Sequence, residues 1–398
     1  MTTFLIRRLF QMIVVIILSA MVSYALLYLA PGGPLQFLAQ QNQSGANRLS
    51  PEDIARIRAR FELDLNLPVR FTRWLIGVPR GPITIGGREL FADRVVGCAV
   101  TERVRLRYAD GREEVSEECV RQVTIADLEG RRVSRGILLG DLGTSQAILR
   151  DRPITDLIKS RLPYTLWLMG VSTTLAILIG VPIGVYSAVR QYSRFDYVMT
   201  TVAFVGSSLP SFFFGIMAIL LFAILAKEAG LPYLPPGNAT ANRDYIIPLL
   251  GRVEARSLLD RVLHFIMPCA VLTFISIAGW SRFVRASMLE VLRQDYVRTA
   301  RAKGVRERLV IVKHALRNAL IPFVVLLAGV LPALIGGAAI TEAVFNWPGL
   351  GRLFVDALER PDYTVALALL FMSIVLLLIG YLVSDILLTL VDPRIRIS

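Results

Sequence analysis

Apolar runs too long for the core of a soluble domain restrict this chain more than any other feature. A stretch from about Leu9 to Ala30 follows Arg7 and Arg8 and is long enough to cross roughly 30 Å of hydrocarbon at 1.5 Å per residue. Five more runs follow, at about 162–189, 198–226, 263–284, 319–340 and 364–390. In lipid every backbone N–H and C=O must be satisfied within the spanning structure. Six such runs therefore predict an all-α polytopic membrane protein with six transmembrane helices. Composition agrees: 54% of the 398 residues are hydrophobic and mean hydropathy is +0.57. The first run lacks the pattern of a removable signal peptide and reads as a retained anchor, residues 1–30.

The net charge of +13 raises the question of nucleic acid. No nucleic-acid fold signature is present, and the basic residues crowd beside the apolar runs, as the positive-inside rule expects. With the N-terminus placed in the cytoplasm by Arg7 and Arg8, three inner segments follow. They are the short loop with Arg190 and Arg194, the stretch 285–318, and the tail 392–398 with Arg394 and Arg396. The middle one carries Arg285, Arg293, Arg298, Arg301, Lys303, Arg306, Arg308, Lys313 and Arg317 against Glu290, Asp295 and Glu307. The loop 341–363, expected outside, has Arg352 and Arg360 against Glu342, Asp356, Glu359 and Asp362. Both termini are thus expected in the cytoplasm.

Residues 31–161 form a long polar region expected on the other side. A charged stretch near Ser50 to Leu63 is expected to be helical. Between about 81 and 135, clustered and alternating β-formers (Val95, Val96, Val104, Leu106 and Tyr108, then Val115, Val120, Val123 and Ile125) flank the turn signal Ala109-Asp110-Gly111. This predicts a small β-rich extracytoplasmic module. Cys98 and Cys119 lie on its two arms. On an oxidising face they form a disulfide, contributing about 3 kcal/mol; otherwise they are two unrelated thiols. Cys269 sits in an apolar run and reads as packing.

The basic stretch 295–322 has internal order. Asp295 to Lys303 is rich in helix formers and stops at Gly304, the residue type that takes the left-handed conformation ending a helix. Leu309, Val312, Leu316 and Leu320, three or four apart, predict an apolar stripe on a second helix. Two helices bent at a glycine make a knob at the membrane surface that suits docking into a partner. The plain alternative is a positively charged loop that only fixes topology.

Residue order favours the first reading. Arg298-Thr299-Ala300-Arg301-Ala302-Lys303-Gly304 resembles the Glu-Ala-Ala-x-x-x-Gly loop through which permeases of ATP-binding-cassette (ABC) importers engage their ATPase. Tyr296 to Pro322 resembles the version in the dipeptide and oligopeptide permease family. It departs from the general loop at Arg298, Thr299 and Arg317, where Glu, Ala and Pro are usual. Phe71-Thr72-Arg73-Trp74-Leu75, Gly140-Asp141-Leu142-Gly143-Thr144-Ser145, the string Gly336 to Gly351 with Arg360-Pro361-Asp362-Tyr363, and Asp392-Pro393-Arg394-Ile395-Arg396 resemble the same family. The resemblance implies a type I ABC importer transmembrane domain at 162–391 with its ATPase-coupling loop at 295–318. It implies a bacterial inner-membrane location and alternating access for di- or oligopeptides. Its partners would be a second homologous permease, two ABC ATPase subunits and an extracytoplasmic solute-binding protein. Relatives of this type also carry oligosaccharides, metal chelates or glutathione-like solutes, and these remain alternatives.

Other chemistry is not supported. None of the four lysines, Lys159, Lys227, Lys303 and Lys313, follows a glycine, so the chain has no P-loop. ATP and Mg are expected on partner subunits, no cofactor or metal on this chain. His264 and His314 are far apart and stand without a Cys or His cluster. They read as structural hydrogen-bonders. Asp385 is the one clear ionisable residue within a run, near its cytoplasmic end. An ion-driven carrier would hold such groups nearer the midplane. A non-transporting receptor, with 31–161 as the sensor, is the remaining reading of another class. Gly180 and Gly184 have small-xxx-small spacing, and Trp347 reads as a residue of the interfacial aromatic belt, in a re-entrant or interfacial turn.

Overall fold

The computed structural model describes residues 2–29, 67–77, 83–85, 88–90, 95–107, 113–124, 136–145, 147–149, 152–333, 338–360 and 362–391. The expected helix near Ser50 to Leu63, the turn Ala109-Asp110-Gly111, Gly336, Gly337 and the tail 392–398 lie outside them. The chain forms two compact units, Met1–Leu27 with Ser145–Ser398, and Tyr28–Thr144.

In the first unit, α1 spans Thr2–Leu29, and α3, α4 and α5 span Ile154–Val189, Arg194–Ser208 and Ser211–Glu228. The label α2 is kept for the helix Leu67–Ile76 of the second unit. A short hairpin, β5 Tyr245–Ile247 with β6 Gly251–Val253, precedes α6, Leu258–Leu292. Then come α7 Asp295–Ala302, α8 Glu307–Ala319, α9 Ile321–Ala328, α10 Val330–Ala333, α11 Ala339–Val344, α12 Leu350–Glu359 and α13 Tyr363–Val391. Among the described residues, five helices are long and apolar enough to cross a membrane, and the bent pair α8–α9 makes a sixth crossing.

Two runs differ from expectation. The third was expected as one continuous span over 198–226. It breaks at Leu209, which is extended (φ −96°, ψ 141°) because it precedes Pro210. The crossing helix is α5 alone, with a widened π turn at Leu220–Leu225. The fifth run was expected at 319–340, but its helix starts at Glu307 and bends by 42° at Leu320. Pro322, in the first turn of α9, has no N–H to offer the carbonyl four residues back.

The two longest helices, α3 and α6, pack along each other through small residues. A Cβ on Gly184 would stand 2.5 Å from the Ser281 carbonyl oxygen, whereas one on Gly180 would be 3.5 Å from Ile277 Cα. The Gly180–Gly184 spacing therefore marks a close helix contact. Ser193 and Ser257 cap α4 and α6, accepting from the N–H groups of Asp196 and Asp260. Ala188, Val284, Met288, Ala315, Ala319 and Phe323 join α3, α6, α8 and α9 in one core. Arg8 on α1 meets Asp385 on α13 at 2.5 Å, so the acid within the last run is paired with a basic residue that leads the first.

In the second unit, β1 Ile83–Ile85 pairs antiparallel with β2 Arg88–Leu90, and β3 Val95–Arg107 with β4 Glu113–Thr124. The β-rich character of the insert is as expected. The ladder sets Cys98 opposite Gln122 and Cys119 opposite Thr101. The expected bridge does not follow from this register.

Candidate functional site

The basic elbow is built from a helix stop. In α7, Val297 and Ala300 turn inward, and the helix ends where Gly304 takes φ 73°. The Gly304 N–H donates to the Arg301 carbonyl at 2.9 Å and the Val305 N–H to the Ala300 carbonyl at 3.3 Å. This is the pair of bonds that closes a helix with a left-handed residue. Val305 then folds back against Val297, Ala300 and Val310. Across the bend the Arg301 guanidinium grips Glu307, with Nη2 to Oε1 at 2.8 Å and Nε to Oε2 at 3.1 Å, a two-point contact that fixes direction as well as distance.

Of the seven residues from Arg298 to Gly304, Ala300 is buried; Arg298, Thr299, Arg301, Ala302, Lys303 and Gly304 are exposed. Thr299 Oγ1 donates to the Asp295 carbonyl at 2.9 Å, and Arg298 lies 3.7 Å from Asp295. Asn318 Nδ2 donates to the Tyr296 hydroxyl and to the His314 carbonyl, both at 3.0 Å. Ser287 Oγ donates to the Ala319 carbonyl at 2.8 Å, tying the far end of α8 to α6. The elbow is braced from both sides.

The expected stripe on the second helix is met in its second half, where Leu316 and Leu320 pack against the core, and not in its first. Leu309 and Val312 are half exposed, and Leu316 and Leu320 are only partly buried. The buried positions are Val310, Ala315 and Ala319, because Val310–Leu316 is a π turn. An i→i+5 repeat moves the inward face by one residue from the 3.6-residue pattern. Leu309 and Val312, with Tyr296, leave apolar surface on a knob that also carries Arg298, Lys303, Arg306, Arg308 and Lys313, all exposed. An apolar centre with a charged rim is the usual anatomy of a docking surface.

A second ionic feature lies ahead of the elbow. Arg285 on α6 donates to Asp196 through Nε at 2.6 Å and Nη2 at 2.8 Å, and the Tyr192 N–H donates to the same carboxylate at 3.0 Å. The bond from Arg285 holds the Asp196 carboxyl below the usual carboxylate range. Sequence reading counted Arg285 only as topological charge. The Ser193-x-x-Asp196 spacing signals a helix start, but nothing local foretells a partner 89 residues away.

At the opposite end of the chain's crossing helices, Glu342 is fully buried. It accepts from Thr165 Oγ1 and from the Arg352 N–H, both at 2.9 Å, while Thr165 Oγ1 accepts from the Leu350 N–H at 2.7 Å. Burial pushes the Glu342 carboxyl upward, against the hydrogen bonds that favour its charge. Asp362, also buried, accepts from Ser145 Oγ at 2.6 Å and from the Ala147 N–H at 2.9 Å. Trp347 is not a belt residue: it is 4% exposed and its Nε1 donates to the Tyr164 carbonyl at 3.2 Å. The segment 339–359 is a helical turn clasped onto α3, and sequence reading had seen Glu342 only as a loop charge. His264 is a structural hydrogen-bonder, as expected, with Nδ1 2.8 Å from the Gly237 carbonyl and Nε2 3.0 Å from Asp260.

Several bent, apolar crossing helices, one of them rooted in a braced surface elbow, define a multi-pass membrane protein of the transporter type. Residues 180–397 match the family described as binding-protein-dependent transport system inner membrane component, and the chain belongs to it. Residues 1–88 match the N-terminal family of the same systems. The chain is 43% identical over 258 residues to the oligopeptide transport system permease protein AppB of Bacillus subtilis, covering 65% of this chain and 76% of that one. It is 41% identical over 261 residues to the glutathione transport system permease protein GsiC of Pectobacterium atrosepticum (65% and 76%). To the dipeptide transport system permease protein DppB of Escherichia coli K12 it is 36% identical over 269 residues (66% and 78%). The resemblance to ABC importer permeases of the peptide class is thus borne out at the level of the family.

Proposed function

We propose that this chain is the permease subunit of an ATP-driven importer and forms, with a second homologous permease, the path for di- or oligopeptides. Delivery falls to an extracytoplasmic solute-binding protein. Two separate ATPase subunits hold ATP and Mg, and this chain itself catalyses no reaction. Both termini and the elbow face the cytoplasm.

The observation that carries this reading is the elbow, six of whose seven loop residues from Arg298 to Gly304 are offered to a partner while its underside is pinned. A partner that pushes on the knob moves α8 as a lever, because the Arg301–Glu307 contact joins the two arms. The displacement reaches the 42° bend at Leu320, where a proline-weakened helix repacks most readily. Alternating access requires such a coupling of a surface contact to a bistable crossing helix. The β-rich insert at 81–135, placed outside, rests against the binding protein or caps the path. Its deletion with no change in uptake or binding-protein docking removes that role.

A glutathione-like cargo is the second reading, favoured by the 41% identity to a protein named as a glutathione permease. Reconstituted vesicles containing the co-purified complex separate the cargoes. ATP-dependent uptake of a labelled dipeptide supports the first reading, and uptake of glutathione alone supports the second. A purified complex with no ATP-hydrolysing companion overturns both.

A further inference from the structure

Between the start of α3 and the start of α6 lies a cavity of about 880 Å³, and its lining is unusual. Four aromatic residues, Tyr164, Trp167, Phe265 and Trp347, line it together with Arg256 and Arg261. The rings form a connected set: Tyr164 and Trp347 meet edge to face at 6.0 Å between centroids, Phe265 lies 5.8 Å from Trp347, and Trp167 lies 6.5 Å from Phe265. No carboxylate among the described residues forms an ion pair with either arginine, although Arg252, on β6, is paired with Asp244 at 2.6 Å.

The wall is held in place. Asp260, fully buried one turn into α6, accepts from the Ala241 N–H at 2.9 Å, the Arg256 N–H at 2.8 Å and the Tyr245 hydroxyl at 3.0 Å. Its bond to the Arg256 N–H keeps that residue at φ 63°, a left-handed conformation that a side chain of this size rarely takes. Such strain persists where surrounding bonds over-determine it, and it collects at binding sites. Here it fixes the backbone from which the exposed Arg256 side chain leaves, beside the aromatic residues.

We propose that this cavity binds an oxyanion, carboxylate or phosphate, carried on an apolar or aromatic body. Arg256 and Arg261 take the oxyanion, since a guanidinium offers a planar fork of donors to either group. The aromatic set takes the body. A ligand of either source fits this chemistry: a peptide with a free C-terminus, or the headgroup of an anionic lipid. The proposal does not need the cargo reading above, because it is read out by binding without ATP, whereas that reading is tested by ATP-driven uptake.

The test uses the full chain with its co-purified subunits in phosphatidylcholine nanodiscs. Trp167 and Trp347 are two of the four tryptophans, so intrinsic fluorescence reports occupancy. Two probe pairs are titrated: the dipeptide Phe-Phe against its C-terminal amide, and dihexanoylphosphatidylglycerol against dihexanoylphosphatidylcholine. The anionic member of at least one pair is expected to bind about tenfold more tightly than its neutral counterpart, as a charge-assisted hydrogen bond to a guanidinium implies. The preference is expected to vanish in the Arg256→Gln, Arg261→Gln double variant and to survive in Arg252→Gln. A preference in the peptide pair assigns the site to cargo, and one in the lipid pair to the bilayer. Equal binding within both pairs overturns the proposal from the parent protein alone, whatever the folding of the variants. So does a preference that the double variant retains.

Discussion

Arg285 holds Asp196 with two nitrogens, at 2.6 and 2.8 Å, about two helical turns before α6 gives way to the elbow. The pair joins the first turn of α4 to the helix that leads into the elbow. Asp196 is buried at 3% exposure, so its charge has little water to fall back on. Either Asp196→Asn or Arg285→Met leaves one partner uncompensated. We expect a loss of about 2–4 kcal/mol for each, below the upper range for fully buried pairs because Arg285 is partly exposed. Thermal unfolding of the solubilised complex reads this directly. The direction of the Asp196 shift sets the pH dependence. A depressed folded-state pKa gives stability that is present above the ordinary carboxylate range and lost as pH falls through the folded value. Asp196→Asn should flatten that acid limb.

Gly304 tests the elbow. At φ 73° a β-branched side chain is strongly disfavoured, and the left-handed conformation costs about 1–2 kcal/mol for an L residue. Gly304→Val is expected to reopen the bend and separate ATP hydrolysis from uptake, with transport falling more than ATPase activity. Gly304→Asn, which tolerates the left-handed region, should retain most transport. Equal loss in both variants would mean that the side chain, not the backbone, matters at this position.

How much of this was legible in sequence follows from the range of each interaction. The stop at Gly304 is local and was visible, as was the apolar character of the crossing helices. The inward face of α8 was not: Val310 and Ala315, not Leu309 and Val312, are buried, because a π turn changes the repeat and no residue type announces one. Whether Pro210 or Pro322 splits a run or only tilts it depends on packing. Trp347 and Glu342 were misread for a different reason. Their partners, Tyr164 and Thr165, lie on α3, more than 170 residues away, and a buried acid looks the same as a loop acid until its partners are found.

The α3–α6 contact makes a graded prediction. Gly184→Ala places a methyl group 2.5 Å from a backbone oxygen of α6, which can move only if the helices part. Overpacking of this kind costs about 1–3 kcal/mol. Gly180→Ala meets its nearest atom at 3.5 Å, an ordinary contact, and should be neutral. Melting temperatures of the two variants, measured in the same lipid, are expected to differ clearly. Equal values would mean that α3 and α6 are not held at this separation.

Glu342 gives the last and most specific expectation. One of its oxygens accepts from Thr165 Oγ1 and the other from the Arg352 N–H. The acid thus caps α12 from the side and fastens it to α3. Glu342→Gln replaces one acceptor oxygen with an N–H₂, leaving either the Thr165 hydroxyl proton or the Arg352 N–H without its acceptor. We expect a loss of about 1–3 kcal/mol, the cost of an unsatisfied buried group, and a larger loss for Glu342→Ala. Because burial raises the Glu342 carboxyl, the folded state binds its proton more tightly than the unfolded chain does. Stability from this residue therefore falls as pH rises from the ordinary carboxylate range through the raised folded value, opposite in sign to Asp196. Unfolding measured from below the ordinary carboxylate range up to neutral pH in Asp196→Asn and Glu342→Gln should show the two slopes removed separately. A Glu342→Gln variant with an unchanged pH slope would show that this carboxyl does not titrate differently in the folded protein.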